Sequence, residues 1–168
     1  MFKKKPAGPA HPCAPARSVK WALAGFASLL LAGCATVSMP TMNLSEPGWT
    51  LRQGQAVWQP RREAPEIAGD LVLATRTNGD AFVQFSKTPL ALAIARKSGQ
   101  AWQAEFPAQN IRYSGRGKPP ARIIWFPLAR AVIGSPPAPP WSWQRTEDRN
   151  WRLENVKTGE TLAGFFAP

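Results

Sequence analysis

Between Gly69 and Lys87 the chain reads GDLVLATRTNGDAFVQFSK. Two runs rich in Val, Leu, Phe and Thr flank Asn78-Gly79, a pair that supplies the positive φ of a type I′ turn. This predicts a β-hairpin, and the pattern recurs. LALAIARKSGQAWQAEFP turns at Ser98-Gly99, with Trp102, Ala104 and Phe106 on one face and Gln103 and Glu105 on the other. WSWQRTEDRNWRLENV turns near Glu147 to Asn150 and groups Trp151, Leu153 and Asn155. WTLRQGQAVW alternates through Trp49, Leu51 and Gln53, with Gly54 as a bulge or twist point. TGETLAGFFAP gives a last strand. Hairpins that follow one another in sequence predict an antiparallel meander.

One segment breaks the two-residue period. PPARIIWFPLARAVIG, Pro119 to Gly134, has proline at its start and glycine at its end. Ile124, Leu128 and Ala131 or Val132 fall on one stripe. Pro127 restarts or kinks this helix, and its best part is Pro127 to Ile133. SPPAPP then stops it in an extended linker. In LALAIA both faces are apolar: Leu90, Leu92 and Ile94 on one, Ala91, Ala93 and Ala95 on the other. An alanine face leaves room for a helix or a greasy ligand. The expected fold is therefore all-β with one main helix: a curved antiparallel sheet, or half-open β-barrel, with the helix in or over its concave face. Its apolar cavity would be lined by Leu73, Val83, Phe85, Trp102, Phe106, Trp125, Leu128 and Val132. Aromatics at alternate strand positions are usually core residues, so the same side chains also serve as a plain core.

The N-terminus bears on location. Lys3, Lys4, Lys5, Arg17 and Lys20 precede a 13-residue uncharged run, Trp21 to Gly33. A membrane-spanning helix needs about 20 apolar residues. The run instead has the length of a signal-peptide core, with the positive flank such peptides carry. It ends in LLAGC, which resembles a bacterial lipobox. That resemblance implies cleavage before Cys34 and acylation of its thiol. Residues 1–33 are thus expected to be a lipoprotein signal peptide, 34–48 a flexible tether and 49–168 the β domain. Removing the five leader cations leaves 16 Lys and Arg against 10 acids, a net +6 on the mature chain. That charge suits an anionic membrane surface and also simple solubility.

Composition excludes several chemistries. His11 and Cys13 lie in the leader, and Cys34 is committed to lipid. The mature domain then holds no imidazole and no free thiol, which rules out Cys–His and Ser–His–Asp catalysis and Cys/His zinc sites. Ser86 and Lys87 are adjacent, so on a strand they point to opposite faces. The acids Asp70, Asp80 and Glu105 are the candidates for an acid-only hydrolase. No enzymatic activity and no cofactor are expected. The basic stretch SGRGKPPAR, Ser114 to Arg122, lacks the spacing of a phosphate loop. It reads as a flexible basic turn before a helix, with anion binding or lipid-headgroup contact as the functional version. Nucleic acid is not an expected partner.

The order of these features resembles the LolB-like outer-membrane lipoproteins of the LolA/LolB superfamily. The resemblance rests on the lipobox, WTLRQGQA, FSKTPLALAIA, FPLARAVIGSPPAPP and NWRLENV. It covers most of the mature domain through short, degenerate motifs. It implies a half-open barrel lidded by helices, whose cavity accepts acyl chains. It also implies a protruding leucine that contacts the membrane, at Leu90 after Pro89; by its alternation Leu90 is equally a core residue. The implied partners are acylated lipoproteins and a periplasmic carrier. Ala35, in place of Asp, implies outer-membrane sorting by the same resemblance. The expected function is lipid or acyl-chain binding at the periplasmic face of the outer membrane, including receipt and insertion of lipoproteins. The alternative is a structural or interaction lipoprotein of an envelope assembly.

Overall fold

The computed structural model of the chain describes residues 39–146 and 149–168. The expected signal peptide, Cys34 and the start of the tether lie outside the described residues. Nine strands are described: β1 Thr50–Gln59, β2 Ile67–Thr75, β3 Ala81–Lys87, β4 Leu90–Ser98, β5 Ala101–Phe106, β6 Ile111–Arg116, β7 Trp141–Arg145, β8 Asn150–Asn155 and β9 Thr161–Phe166. The one α-helix among the described residues, α1, spans Trp125–Val132. All strand pairings are antiparallel, in the order β6-β5-β4-β3-β2-β1-β9-β8-β7.

This order corrects the simple meander. β1 to β6 add outward in sequence, but β7 to β9 return to the other side of β1. Consecutive hairpins form either way, because each needs only its own turn. The register of β9 on β1 is non-local and leaves no trace in hairpin signals. It follows that the two edges, β6 and β7, run in the same direction. Nine antiparallel strands therefore cannot close by an antiparallel pairing, and the sheet stays open.

The sheet nevertheless curls. Flat, β5 and β7 would lie about 34 Å apart at 4.8 Å per strand spacing. Yet Trp102 of β5 packs edge-on against Phe126, and Trp141 of β7 donates its indole N–H to the carbonyl of Ala121. Ala121 and Phe126 are five residues apart on a turn-rich segment that rises only about 2 Å per residue. Small residues permit the bend. Ala56 of β1 pairs with Gly164 on one side and Gly69 on the other. A β-carbon at Gly164 would run into the backbone of Gln55 and Ala56, and one at Gly54 into the backbone of Phe165. Glycine here allows close approach, and the predicted bulge at Gly54 is absent: β1 holds a continuous register with β2. The one irregularity falls between β3 and β4, where Leu92 is skipped between the pairs Phe85–Ala93 and Ser86–Ala91.

The turns depart from expectation in one place. The β2–β3 loop is a three-residue connection, closed by Arg76 N–H to Asp80 O at 3.0 Å, with positive φ at Gly79 but not at Asn78. Asn78 Oδ1 instead accepts the Asp80 N–H at 2.9 Å. A three-residue loop needs the left-handed region only at its last residue, which here is Gly79, whereas a type I′ turn would need it at Asn78 as well. The β4–β5 loop does place Gly99, φ 53, at the first central position.

α1 begins two residues earlier than its predicted best part. Pro127 then sits in the first turn, where its missing N–H is not needed, so it neither restarts nor kinks the helix. Seven of its eight residues are buried and only Arg130 is exposed. A helix apolar all round belongs inside a core. Trp125 stacks on Phe85 with centroids 5.4 Å apart and meets Trp58 edge-on at 5.4 Å. The inward faces of the strands complete the core: Leu71 and Leu73, Val83 and Phe85, Ala93 and Ala95, Leu153 and Leu162. The alanine face of β4 is thus the inward one, and it is small because the helix segment occupies the space.

Candidate functional site

A cavity of about 730 Å³ opens at the end of the cup formed by the β2–β3 and β4–β5 turns. Pro127, Ala129 and Ile133 of the helix segment form one wall, and Pro137 to Pro139 another. Three cations, Lys97, Lys118 and Arg130, also line it. Lys97 lies on the inward face of β4, opposite Ala81, and its Nζ donates to Gly79 O at 2.9 Å. Lys118 follows β6, and Arg130 is the exposed residue of α1. Asp80, the acid of this mouth, is buried. Its Oδ1 accepts the Gly99 N–H at 2.7 Å and its Oδ2 accepts from Asn78 Nδ2 at 3.0 Å. It ties two turns together. The arrangement offers apolar walls and fixed positive charge, which is binding chemistry.

The end of the expected tether packs beside this mouth. Trp49 donates its indole N–H to Asn43 O at 3.1 Å, and Arg76 lies over the Trp49 ring at 4.6 Å while pairing with Glu46 at 2.9 Å. Arg76 neighbours Thr75 and Thr77, both of which line the cavity.

The eight residues expected to line a cavity come together, but as a packed cluster. Leu73, Val83, Phe85, Trp125, Leu128 and Val132 are buried in the core, and Trp102 and Phe106 pack against it. None of the eight lines the mouth. Only Phe106 and Trp125 border a second, smaller cavity, of about 240 Å³. Leu90, core or protruding by sequence, is 62% exposed at the β3–β4 turn. The three acids are not brought together. Asp70 accepts from Thr88 Oγ1 at 3.2 Å, Asp80 holds turns, and Glu105 sits between Arg96 and Arg112, each at 3.7 Å. No group of three or more His, Cys, Asp or Glu converges among the described residues.

SGRGKPPAR divides in two. Ser114 to Arg116 belong to edge strand β6, and the turn begins only at Gly117. Gly115 has a structural use: the Trp102 indole lies across it, within 2.5 Å of where a β-carbon would stand. β6 itself was missed, although Ile111, Tyr113 and Gly115 alternate with Arg112, Ser114 and Arg116. Its polar residues and its run into a glycine-rich turn masked that alternation.

Sequence reasoning also passed over Glu160. It stands in the turn before β9 and lines the smaller cavity with Trp58, Tyr113 and Arg122. Trp58 Nε1 donates to its Oε1 at 3.1 Å. Burial pushes its carboxyl from 4.5 up to about 7, and the Trp58 hydrogen bond offsets only part of that. Its lone position in a TGET turn gave no signal beyond an acid flanked by strand residues. Against known proteins, the chain matches no family model and no curated protein.

Proposed function

We propose that the protein is an outer-membrane lipoprotein, anchored through acylated Cys34, that binds lipid or acyl chains without catalysis. In the LolB-like version of this role it takes acylated lipoproteins from a periplasmic carrier and delivers them to the membrane. The observation that carries the proposal is the mouth itself. Its volume of about 730 Å³ falls in the range of roughly 300–1,000 Å³ usual for small-molecule sites. Apolar walls take hydrocarbon, at about 25 cal/mol for each Å² of apolar surface removed from water. The basic rim suits the anionic end of a lipid. Exposed Leu90, at the opposite set of turns, offers the membrane contact.

A chain lacking residues 1–33 and carrying Cys34→Ala tests this. Lipid extracted from the purified protein, and displacement of a fluorescent fatty acid, should both report binding. Ile133→Asp should weaken uptake, because Ile133 lines the mouth and is already 47% exposed, so the fold is spared. Absence of lipid together with no fatty-acid uptake overturns the proposal.

A second role, an interaction lipoprotein with no lipid cargo, is favoured by a different observation. The centre of the cup is filled by Trp125, Phe85 and Leu128, so hydrocarbon has no deep hollow unless α1 moves. A stable protein complex recovered from cross-linked envelopes, with a lipid-free domain, is the outcome that selects it.

A further inference from the structure

We propose that the smaller cavity, between the end of β1, the start of α1 and the turn before β9, binds a zwitterionic phosphoammonium group such as phosphoethanolamine. Its lining holds one carboxyl, Glu160, and one guanidinium, Arg122. Neither makes an ion pair within 4 Å among the described residues. Opposite charges that share a cavity of about 240 Å³ without meeting are what a ligand carrying both charges would complete. A bare ammonium would face Arg122, and a bare phosphate would face Glu160. A zwitterion satisfies both.

The remaining walls fit the ammonium end. Trp58, Phe106, Tyr113 and Trp125 all border the cavity. Aromatic faces beside a carboxylate attract primary and quaternary ammonium groups, and desolvation strengthens that attraction. The Trp58 indole N–H already fixes the carboxyl at 3.1 Å, so the acid is pre-positioned. The indole N–H of Trp125 is buried with no partner. The cavity is smaller than a usual drug-sized pocket, which suits a headgroup and excludes an acyl chain. The other titratable and charged groups around Glu160 are Tyr113, Arg122 and Arg62, the last packed on Gly159. Burial alone leaves the Glu160 carboxyl partly protonated near neutral pH. An ammonium against it would hold it ionised. None of this rests on the acyl-chain proposal, since the two cavities share no lining residue.

The test uses the full chain in an uncharged detergent. Glycerophosphoethanolamine, which carries both charges and no acyl chain, is titrated and followed by calorimetry and tryptophan fluorescence. Glycerol phosphate and ethanolamine are the single-charge controls. The zwitterion should bind about tenfold tighter than either control. Glu160→Gln, which keeps an acceptor for Trp58, and Arg122→Ala, at an exposed position, should each weaken it about tenfold. Thermal melts check that both variants remain folded. Equal binding of all three probes, no binding of any, or no effect of Glu160→Gln overturns the proposal. Vesicles with and without phosphatidylethanolamine then identify the source: preference for the former points to a lipid headgroup, and no preference to a free phosphoammonium compound. Fatty-acid displacement from the mouth is measured in the same variants and should be unchanged, so failure here and failure of the acyl-chain proposal read separately.

Discussion

Glu160 shows how one residue turns burial into pH dependence. Its carboxyl is held near 7 in the folded protein and returns to about 4.5 when the chain unfolds. Between those values the folded state keeps a proton that the unfolded state releases, so stability falls as pH rises through the window. Below pH 4.5 both states are protonated and the effect vanishes. Above 7 it is fully present. At about 1.4 kcal/mol per pH unit, discounted because the carboxyl stays partly open to water, it is on the order of 2 kcal/mol. Glu160→Gln should therefore match the parent in urea melts at pH 4 and exceed it by about 2 kcal/mol at pH 8. A constant difference across that range would show that the acid is not desolvated. Gly164 makes the opposite case, in which backbone decides. A β-carbon there meets strand β1 itself, which cannot move aside as a flexible side chain could. Gly164→Val should destabilise by about 2–4 kcal/mol, whereas Gly99→Ala, with open space around it but positive φ, should cost only about 1 kcal/mol.

Among the elements, α1 is the one whose loss the molecule can least bear. Trp125 is 1% exposed and touches Phe85 and Trp58 from within the cup. Trp125→Ala should cost about 3–5 kcal/mol and broaden the thermal transition, since it removes the largest fully buried side chain among the described residues. Leu90→Ser, at an exposed turn, should stay within about 0.5 kcal/mol of the parent and instead weaken vesicle partition. The helix was legible because its period differs from that of its neighbours, and Pro127 misled only about its start: a proline marks a break in mid-helix but is neutral in the first turn. The hairpins were legible from Asn78-Gly79, Ser98-Gly99 and strand alternation, which are local. What alternation could not carry was non-local: the docking of β9 on β1, the filling of the cup by Trp125, and the placement of Glu160 and Arg122, 38 positions apart in sequence, around one cavity.

For the whole molecule the consequence is electrostatic. A net charge of +6 on residues 34–168, with Lys118 and Arg130 exposed at the mouth, should draw even an unacylated chain to anionic membranes, mouth first, in an orientation distinct from the Leu90 contact of the anchored protein. Each basic residue near such a surface contributes about 1 kcal/mol, and only within a Debye length, which shrinks from about 10 Å in 0.1 M salt to about 3 Å in 1 M. Acyl chains obey a different rule. Each buried methylene contributes about 0.8 kcal/mol whatever the salt, and one chain with a basic patch already anchors stably. The two contributions can therefore be separated on one protein. Cosedimentation with vesicles of anionic lipid should be strong for the Cys34→Ala chain lacking residues 1–33 at low salt and largely lost at 1 M. Lys118→Gln with Arg130→Gln should lower its partition by about 30-fold at low salt and change little at high salt. Lys97 is left in place because it holds the β2–β3 turn. With Cys34 acylated as proposed, the wild-type protein should cosediment equally at both salts. If the wild type also washes off in 1 M salt, charge alone holds it, and the thiol at Cys34 carries no lipid.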